Sequence, residues 1–361
     1  MILTISRRCA GAYAVYLLLA LPMLGCGTDV TQQRKELAQS MHDSLADDLA
    51  ALISSAKALQ AAAPNPTGRG WDATQDAAAI TQMKQHWRDC RTAYEHTEGA
   101  LAPIFPDLDA SLDARYDDFL SQLNGAGDTT LFDDQGVTGM HAIERILYAD
   151  AIPSKVVDFE STLPGYAPAA FPSTEAEANQ FKTKLVQRLI DDATKLQTQW
   201  QPAAIDVGEA FQGLVSLMNE QREKVNKAAT GEEESRYAQL TLFDLRNNLA
   251  GTAKIYGLFQ KDIKAKTSSD KAKDGPTVDA TIESGFSKLS SLYDSNSGDA
   301  LPPVPASWSS DMPSQADLAT PFGQLWSQVH GAVDPNQSGS VVAQMNDAAL
   351  ILDFPTFVEG Q

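Results

Sequence analysis

The feature that most restricts the fold is a helical repeat of apolar residues that runs through almost the whole chain. Segments rich in Ala, Leu, Gln, Glu and Lys dominate, and runs in which β-branched and polar residues alternate are scarce. Apolar residues at 3.6-residue spacing give a helix one apolar face, which must be buried. The sequence therefore predicts an all-α fold.

Stretches rich in Pro, Gly or Ser interrupt the helical pattern and predict loops. They lie at 63–70, 124–136, 161–174 and 297–313. Between them the pattern predicts helices near 33–62, 75–101, 109–124, 139–149, 174–200, 203–228, 233–265, 277–293, 315–331 and 338–351. These helices fit two helical-bundle halves in one compact body, an N-terminal half at 35–165 and a C-terminal half at 166–361.

The N-terminus has the pattern of a secretion signal. Two arginines precede the apolar run AGAYAVYLLLALPMLG at 10–25, which is too short for a stable membrane span. The run ends in MLGC, which resembles a bacterial lipoprotein signal with Cys26 as the lipidated residue. We expect a signal peptide at 1–25 and a tether at 26–34. An ordinary cleaved signal with an incidental cysteine is the alternative.

This signal places the protein in the bacterial cell envelope, facing the periplasm. Gly27 follows the cysteine, where an Asp retains many lipoproteins at the inner membrane, so the outer membrane is favoured. If Cys9 leaves with the signal and Cys26 is lipidated, Cys90 has no partner for a disulfide. Stability must then come from the apolar core or from bound metal.

Acidic side chains strongly outnumber basic ones. The chain has 47 Asp and Glu against 28 Lys and Arg, a formal charge of −19. Residues 1–25 contain Arg7 and Arg8 and no acid, so their removal takes this charge to −21. Such a surface repels nucleic acid and anionic membranes and attracts cations. Nucleic acid is therefore not an expected partner.

The stretch TGMHAIERILYAD at 138–150 carries the strongest candidate for a binding site. His141 and Glu144 are three residues apart, so they share one helix face among apolar neighbours. Helical bundles hold metal where such side chains converge from facing helices. Imidazole with carboxylates suits iron, zinc or copper, and an excess of carboxylates favours iron. The alternative is a hydrogen-bonded pair inside an ordinary core.

Other acidic side chains lie beside predicted buried faces. On the 75–101 helix an apolar stripe passes next to Glu95 and Glu98, although Arg91 could simply pair with Glu95. Asp113 adjoins the inward face of the next helix. The helix at 236–259 is apolar almost all round and still contains Asp244, in line with Asn248. A buried acid needs a cation, an Arg or several hydrogen-bond donors.

Four blocks in this order resemble the imelysin-like family, which includes the EfeO-like iron-uptake components. GMHAIERILY resembles the family's G-x-H-x-x-E signature, and WRDCRTAYEHTEG its early W-x-x-x-R-x-x-x-E helix. PDLDASLDARYDDF resembles its Asp-rich second helix, and RYAQLTLFDLRNNLAGTAKIYGLF its later helix with Asp and Asn before a Gly. The resemblance covers roughly 35–350 and implies an all-helical fold of two bundle-like halves.

The resemblance also implies a metal site at His141 and Glu144. Acidic positions of the family near that site match Glu95, Glu98 and Asp113 here, and these complete the expected ligand set. The residues expected to surround and support the ligands are Arg88, Arg91, Asp244 and Asn248.

The favoured function is a lipid-anchored envelope protein that binds iron, or another transition metal, through the G-x-H-x-x-E site and takes part in iron uptake or handling. Its expected partners are the metal ion, the membrane and envelope iron-transport components. A metallopeptidase of the imelysin type is the first alternative, but the five histidines form no H-E-x-x-H motif and no G-x-S-x-G stretch occurs. A structural or interaction lipoprotein without metal is the second. Enzymatic activity is therefore not the favoured prediction.

Overall fold

The computed structural model describes residues 26–123, 127 and 130–359, with only the backbone given for 26–29, 122 and 272. The predicted signal peptide at 1–25 lies outside these residues. Throughout the described part the regular structure is helical, with no strand, which confirms the all-α prediction. None of the described helices is both long enough and apolar enough to cross a membrane.

The N-terminal helices are α1 Cys26–Ala62, α2 Ala77–Glu95, α3 Glu98–Leu101, α4 Pro106–Asp113, α5 Tyr116–Gln122, α6 Gly139–Leu147 and α7 Ser154–Glu160. They are followed by α8 Glu175–Gln180, a π-helical turn Phe181–Leu185, α9 Val186–Gln199, a 3₁₀ turn Pro202–Ala204, α10 Val207–Lys227 and α11 Thr241–Tyr256. The chain continues through α12 Gln260–Lys264, a 3₁₀ turn Lys271–Lys273, α13 Gly275–Ser295, α14 Gln315–Leu318, α15 Pro321–Val333 and α16 Val341–Ile351.

Most predicted helices are present, with different ends. The predicted tether at 26–34 is the first part of α1 and therefore helical, and residues 30–36 are exposed. The predicted helix at 75–101 is divided after Glu95, and the one at 109–124 is divided between Asp113 and Tyr116. The short helix α7 lies where no helix was predicted.

The prediction of a helix from 233 onward is wrong over 233–240. Residues 228–240 form a series of turns, called here the α10–α11 turn segment. Gly231 and Gln239 have left-handed backbones with φ values of 82° and 57°. The backbone N–H groups of Tyr237 and Ala238 donate to the Glu144 carboxylate on α6. These N–H groups are therefore not available to an α-helix.

One apolar core extends from Leu37 to Phe354 across both predicted halves. Helix α2 packs against α1, α6 and α11, and α10 packs against α3 and α11. The indole N–H of Trp87 donates to the backbone oxygen of Met140 at 2.8 Å, which ties α2 to the start of α6. The boundary between the halves near residue 165 stays a prediction.

Gly139 sets how closely α6 approaches α4. Its φ is 83°, and a Cβ atom there would lie 2.4 Å from the backbone oxygen of Leu112. Only glycine combines this backbone angle with so close a contact. The glycine of the G-x-H-x-x-E motif thus brings His141 next to Asp113, the last residue of α4.

Candidate metal centre

The centre is built around His141, whose residue surface is 3% exposed. Its Nδ1 lies 2.8 Å from Oε2 of Glu144. Because a carboxylate only accepts, this contact puts a proton on Nδ1, and the neutral ring then has its lone pair on Nε2. Nε2 is buried and has no hydrogen-bond partner. It lies 3.3 Å from Oδ1 of Asp113 and 3.5 Å from Oε1 of Glu234.

One ligand atom each from Asp113, His141 and Glu234 lies within 4.8 Å of the other two. A nitrogen lone pair that faces two carboxylate oxygens is repelled unless a cation lies between them. That cation is either a proton on Nε2 or a metal ion. The donor set of one imidazole and two carboxylates fits a transition metal with affinity for oxygen and nitrogen.

Three separate elements supply these groups. Asp113 ends α4, His141 lies in the first turn of α6, and Glu234 lies in the α10–α11 turn segment. Asp113 and His141 come from the predicted N-terminal half and Glu234 from the predicted C-terminal half. The centre therefore forms only when both parts of the chain are folded together.

Glu144 positions the histidine and the turn segment. Its Oε2 faces Nδ1 of His141, and its Oε1 accepts the backbone N–H groups of Tyr237 at 3.0 Å and Ala238 at 2.8 Å. The side chain is fully buried. One carboxylate oxygen is thus engaged by Nδ1 of His141 and the other by two backbone N–H groups, on the side of the ring opposite Nε2.

Arg91 on α2 lies at the middle of the surrounding carboxylates and is completely buried. Its guanidinium donates to Asp113 and Glu95. It also lies 3.4 Å from Oε1 of Glu234 and 3.4 Å from Oδ1 of Asp244. The planar guanidinium can contact several carboxylates at once, so it holds acids from four elements in fixed positions.

Glu95 and Glu98 lie beside this group and are bound by other side chains. The Asn248 amide donates to both carboxylates, with a distance of 2.8 Å to Oε2 of Glu98. Lys224 on α10 donates to Oδ1 of Asn248 at 3.0 Å. The predicted neighbours Asn248 and Asp244 therefore do lie at the centre, and Ser235 donates to Asp244 at 2.5 Å.

Arg88 lies elsewhere. Its guanidinium donates to Asp299 at 2.6 Å and covers the ring of Phe243 at 4.2 Å. Of these two arginines, Arg91 is the one that contacts Asp113, Glu95 and Glu234.

Electrostatics within the centre favour a positive charge at His141. Burial disfavours its imidazolium, but the carboxylates of Asp113, Glu144 and Glu234 outweigh burial and raise the pKa of His141 to about 10. Burial also acts to raise the pKa of Glu234, yet Arg115 and Lys224 hold this pKa well below its ordinary value. The metal-free centre thus carries a proton on the nitrogen that would face a metal ion.

Sequence reasoning missed Glu234, together with Arg115 and Lys224, which contact it. The signal was the run Glu232–Glu233–Glu234 next to Gly231, a turn residue beside three acids. The residues that follow this run have a helical apolar pattern, which predicts a helix where the structure has turns.

The fold and the centre define a class of all-α protein in which a buried histidine and two carboxylates converge from different elements. The family model described as Imelysin, Peptidase_M75, matches residues 38–302. The chain therefore belongs to the imelysin family.

Two similar relatives are named Efem/EfeO family lipoprotein. The one from Staphylococcus haemolyticus strain JCSC1435 is 28% identical over 251 residues, which cover 69% of this chain and 71% of the relative. The one from Staphylococcus aureus strain MSSA476 is 28% identical over 215 residues, 60% of this chain and 59% of the relative. The chain thus matches less than two thirds of the second relative's length.

Solved structures share the fold. An imelysin-like protein from Psychrobacter arcticum 273-4 superposes with a TM-score of 0.56 at 11% identity, over 91% of this chain and 98% of that one. A protein described as an iron-regulated protein A precursor, from Parabacteroides distasonis ATCC 8503, has a TM-score of 0.54 at 13% identity, over 89% and 94%. At these identities the likeness concerns the fold.

Proposed function

We propose that this protein binds iron as cargo at Asp113, His141 and Glu234, in a role in iron uptake or handling. The observation that carries the proposal is the Nε2 atom of His141, which is buried, lacks a hydrogen-bond partner and faces two carboxylate oxygens. In this proposal Glu144 orients the histidine, while Glu95 and Glu98 lie in the layer around the ligands. Zinc and copper suit the same donors and are the competing ions.

The relatives support iron over these ions. Two of them carry the name of the Efem/EfeO lipoprotein family, and a protein with the same fold is described as iron-regulated. The formal charge of −19 adds a general attraction for cations. Envelope iron-transport components are the proposed protein partners.

We further propose that Cys26 is the lipid anchor, on the basis of the MLGC pattern and the lipoprotein relatives. The Cys26→Ser protein should lose palmitate label and leave the membrane fraction, or stall as a precursor. Fractionation over a density gradient then tells the outer from the inner membrane. Unchanged labelling and fractionation in the variant would mean that the signal is an ordinary one.

Calorimetric titration of the metal-stripped protein with ferrous iron under anoxia tests the binding itself, with ferric, zinc and copper ions in parallel. The wild type should bind ferrous or ferric iron, and the His141→Ala/Glu234→Gln double variant should lose that binding while keeping its helix content. His42→Ala is the matched control, since His42 pairs with Asp43 on α1, away from the centre. Equal affinity in the wild type and the double variant would contradict the proposal.

The same metal-stripped protein also tests the two alternative functions, a metallopeptidase and a structural lipoprotein. The described centre contains a single histidine. The other four pair elsewhere: His42 with Asp43, His86 with Asp89, His96 with Asp48 and His330 with Asn226. Hydrolysis of a peptide substrate that requires His141 and added metal would favour the metallopeptidase. Absence of binding for every ion would favour a structural lipoprotein.

A further inference from the structure

The ammonium group of Lys224 is buried beside the proposed iron site, and the residue is 4% exposed. Its Nζ lies 3.0 Å from Oδ1 of Asn248 and 3.5 Å from Oε2 of Glu234. It also lies 3.7 Å from Oε2 of Glu98 and 3.9 Å from Oε2 of Glu95. Three carboxylates and one amide oxygen therefore surround a single positive charge.

Oxygen atoms of this kind, from carboxylates and an amide, also form the ligand sets of divalent cations. Glu234 belongs to both groups, since its Oε1 faces Nε2 of His141 and its Oε2 faces Nζ of Lys224. In carboxylate-bridged dinuclear centres of helical bundles, acidic side chains from facing helices surround two metal ions. Here Glu234 is shared between the position beside His141 and the position that the ammonium of Lys224 occupies.

We propose that Lys224 occupies a second cation position, so that the centre takes one metal ion where its acidic side chains would otherwise hold two. This inference rests on the proposed iron site, but it concerns how many metal ions each chain binds. Three buried carboxylates without a cation would repel each other and lose their hydration. Arg91 and Arg115 neutralise part of this charge at Glu95 and Glu234. Lys224 lies beside all three carboxylates and adds a permanent positive charge that cannot be exchanged for an ion from solution.

The geometry also explains why Glu95 and Glu98 do not reach His141. Asn248 donates to both of them and accepts from Lys224, so these side chains form a closed group around the ammonium. The predicted acidic ligands are therefore divided, with Asp113 facing the proposed metal position and Glu95 and Glu98 facing Lys224.

The test is the number of ferrous ions bound per chain under anoxia, counted by elemental analysis after equilibrium dialysis. The wild type should bind one ion and Lys224→Met two, because methionine fills similar space without a charge. Lys227→Met is the matched control, since Lys227 is one turn away on α10 and pairs with Glu223 at the surface. It should bind one ion, and so should Lys224→Arg. A Lys224→Met protein that binds no extra ion overturns the inference.

If the metal-free Lys224→Met protein folds poorly, thermal denaturation with and without iron tests the inference. Ferrous iron should restore the Tm of Lys224→Met towards that of the wild type, and adding Glu98→Gln should remove the second ion but not the first. A Lys224→Met protein that stays unfolded with iron contradicts the inference. If the wild type binds none and Lys224→Met binds one ion that survives His141→Ala, the inference holds and the proposed function fails.

Discussion

At the scale of the residue, the histidine and the glutamate of the GMHAIERILY motif have different tasks. His141 offers Nε2 to the centre, whereas Glu144 touches Nδ1 and two backbone N–H groups. A hydrogen bond to the far nitrogen of a ligand histidine fixes which nitrogen keeps its lone pair. The spacing of three residues therefore serves to orient the ring.

The Glu144→Gln variant separates orientation from ligation. A glutamine can still accept both backbone N–H groups with its oxygen, but its NH₂ group then donates to Nδ1 and moves the ring proton to Nε2. Metal affinity should fall about 10–100-fold with little change in stability. Calorimetric titration measures this, with Glu223→Gln on the exposed side of α10 as the control. Unchanged affinity would mean that the carboxylate does not set the tautomer.

Proton competition gives a second prediction for His141. The pKa of about 10 in the metal-free fold lies above the ordinary value of 6.5, so the ring is charged at neutral pH. A metal ion must displace that proton, and its affinity should rise up to about tenfold per pH unit between pH 6 and 9. Calorimetry in buffers with different ionisation enthalpies should show about one proton released. An affinity independent of pH would contradict this.

The same pKa shift has a consequence for the metal-free fold. Because the folded pKa exceeds the unfolded one, the charged ring stabilises the fold fully below about pH 6.5. This contribution is lost as the pH rises through about 10. Urea unfolding of the metal-free protein should show the loss, and His141→Gln should reduce it.

At the scale of the element, the contact between α4 and α6 sets the distance between Asp113 and His141. Gly139→Ala should lower the free energy of unfolding by about 1–3 kcal/mol through its left-handed backbone, and the clash with Leu112 adds to this. Metal affinity should fall as the helices separate. Gly298→Ala is the control, because Gly298 has φ 82° but open space around its Cβ position. Equal metal affinity in both variants would contradict this role of Gly139.

Helical periodicity predicted the elements that pack by regular apolar faces. The stripe of α2 and α3 is one example, since Met83, Trp87, Cys90, Tyr94 and Leu101 are all fully buried. Periodicity also placed Asp113, His141 and Asn248 on inward faces. It could not predict the α10–α11 turn segment, because Glu144, 93 residues away from Tyr237, draws that segment out of a helical path. Glu234 was missed for this reason.

At the scale of the whole molecule, the centre connects distant parts of the chain. The single side chain of Arg91 contacts acids from four elements: α2, α4, the α10–α11 turn segment and α11. Whether Arg88 or Arg91 faces the centre depends on the rotation of α2 about its own axis, and the sequence does not give that angle. Asp113 and His141 from the predicted N-terminal half must meet Glu234 from the predicted C-terminal half for the centre to exist.

Metal should therefore stabilise the molecule as a unit. At an ion concentration about 100 times the Kd, binding to the folded state alone adds about 2.7 kcal/mol to the free energy of unfolding. The urea midpoint should rise accordingly in the wild type and stay fixed in His141→Ala. A rise of equal size in both proteins would point to binding elsewhere on the acidic surface.

The most direct test is anomalous diffraction at the iron edge from crystals of the mature protein loaded with iron. We expect one strong peak bound by Nε2 of His141 and by carboxylate oxygens of Asp113 and Glu234, at about the 2.0–2.2 Å that these ligands take to zinc. A peak bound by Glu95 and Glu98 instead, or no peak near His141 in the iron-loaded crystals, would contradict the proposed site.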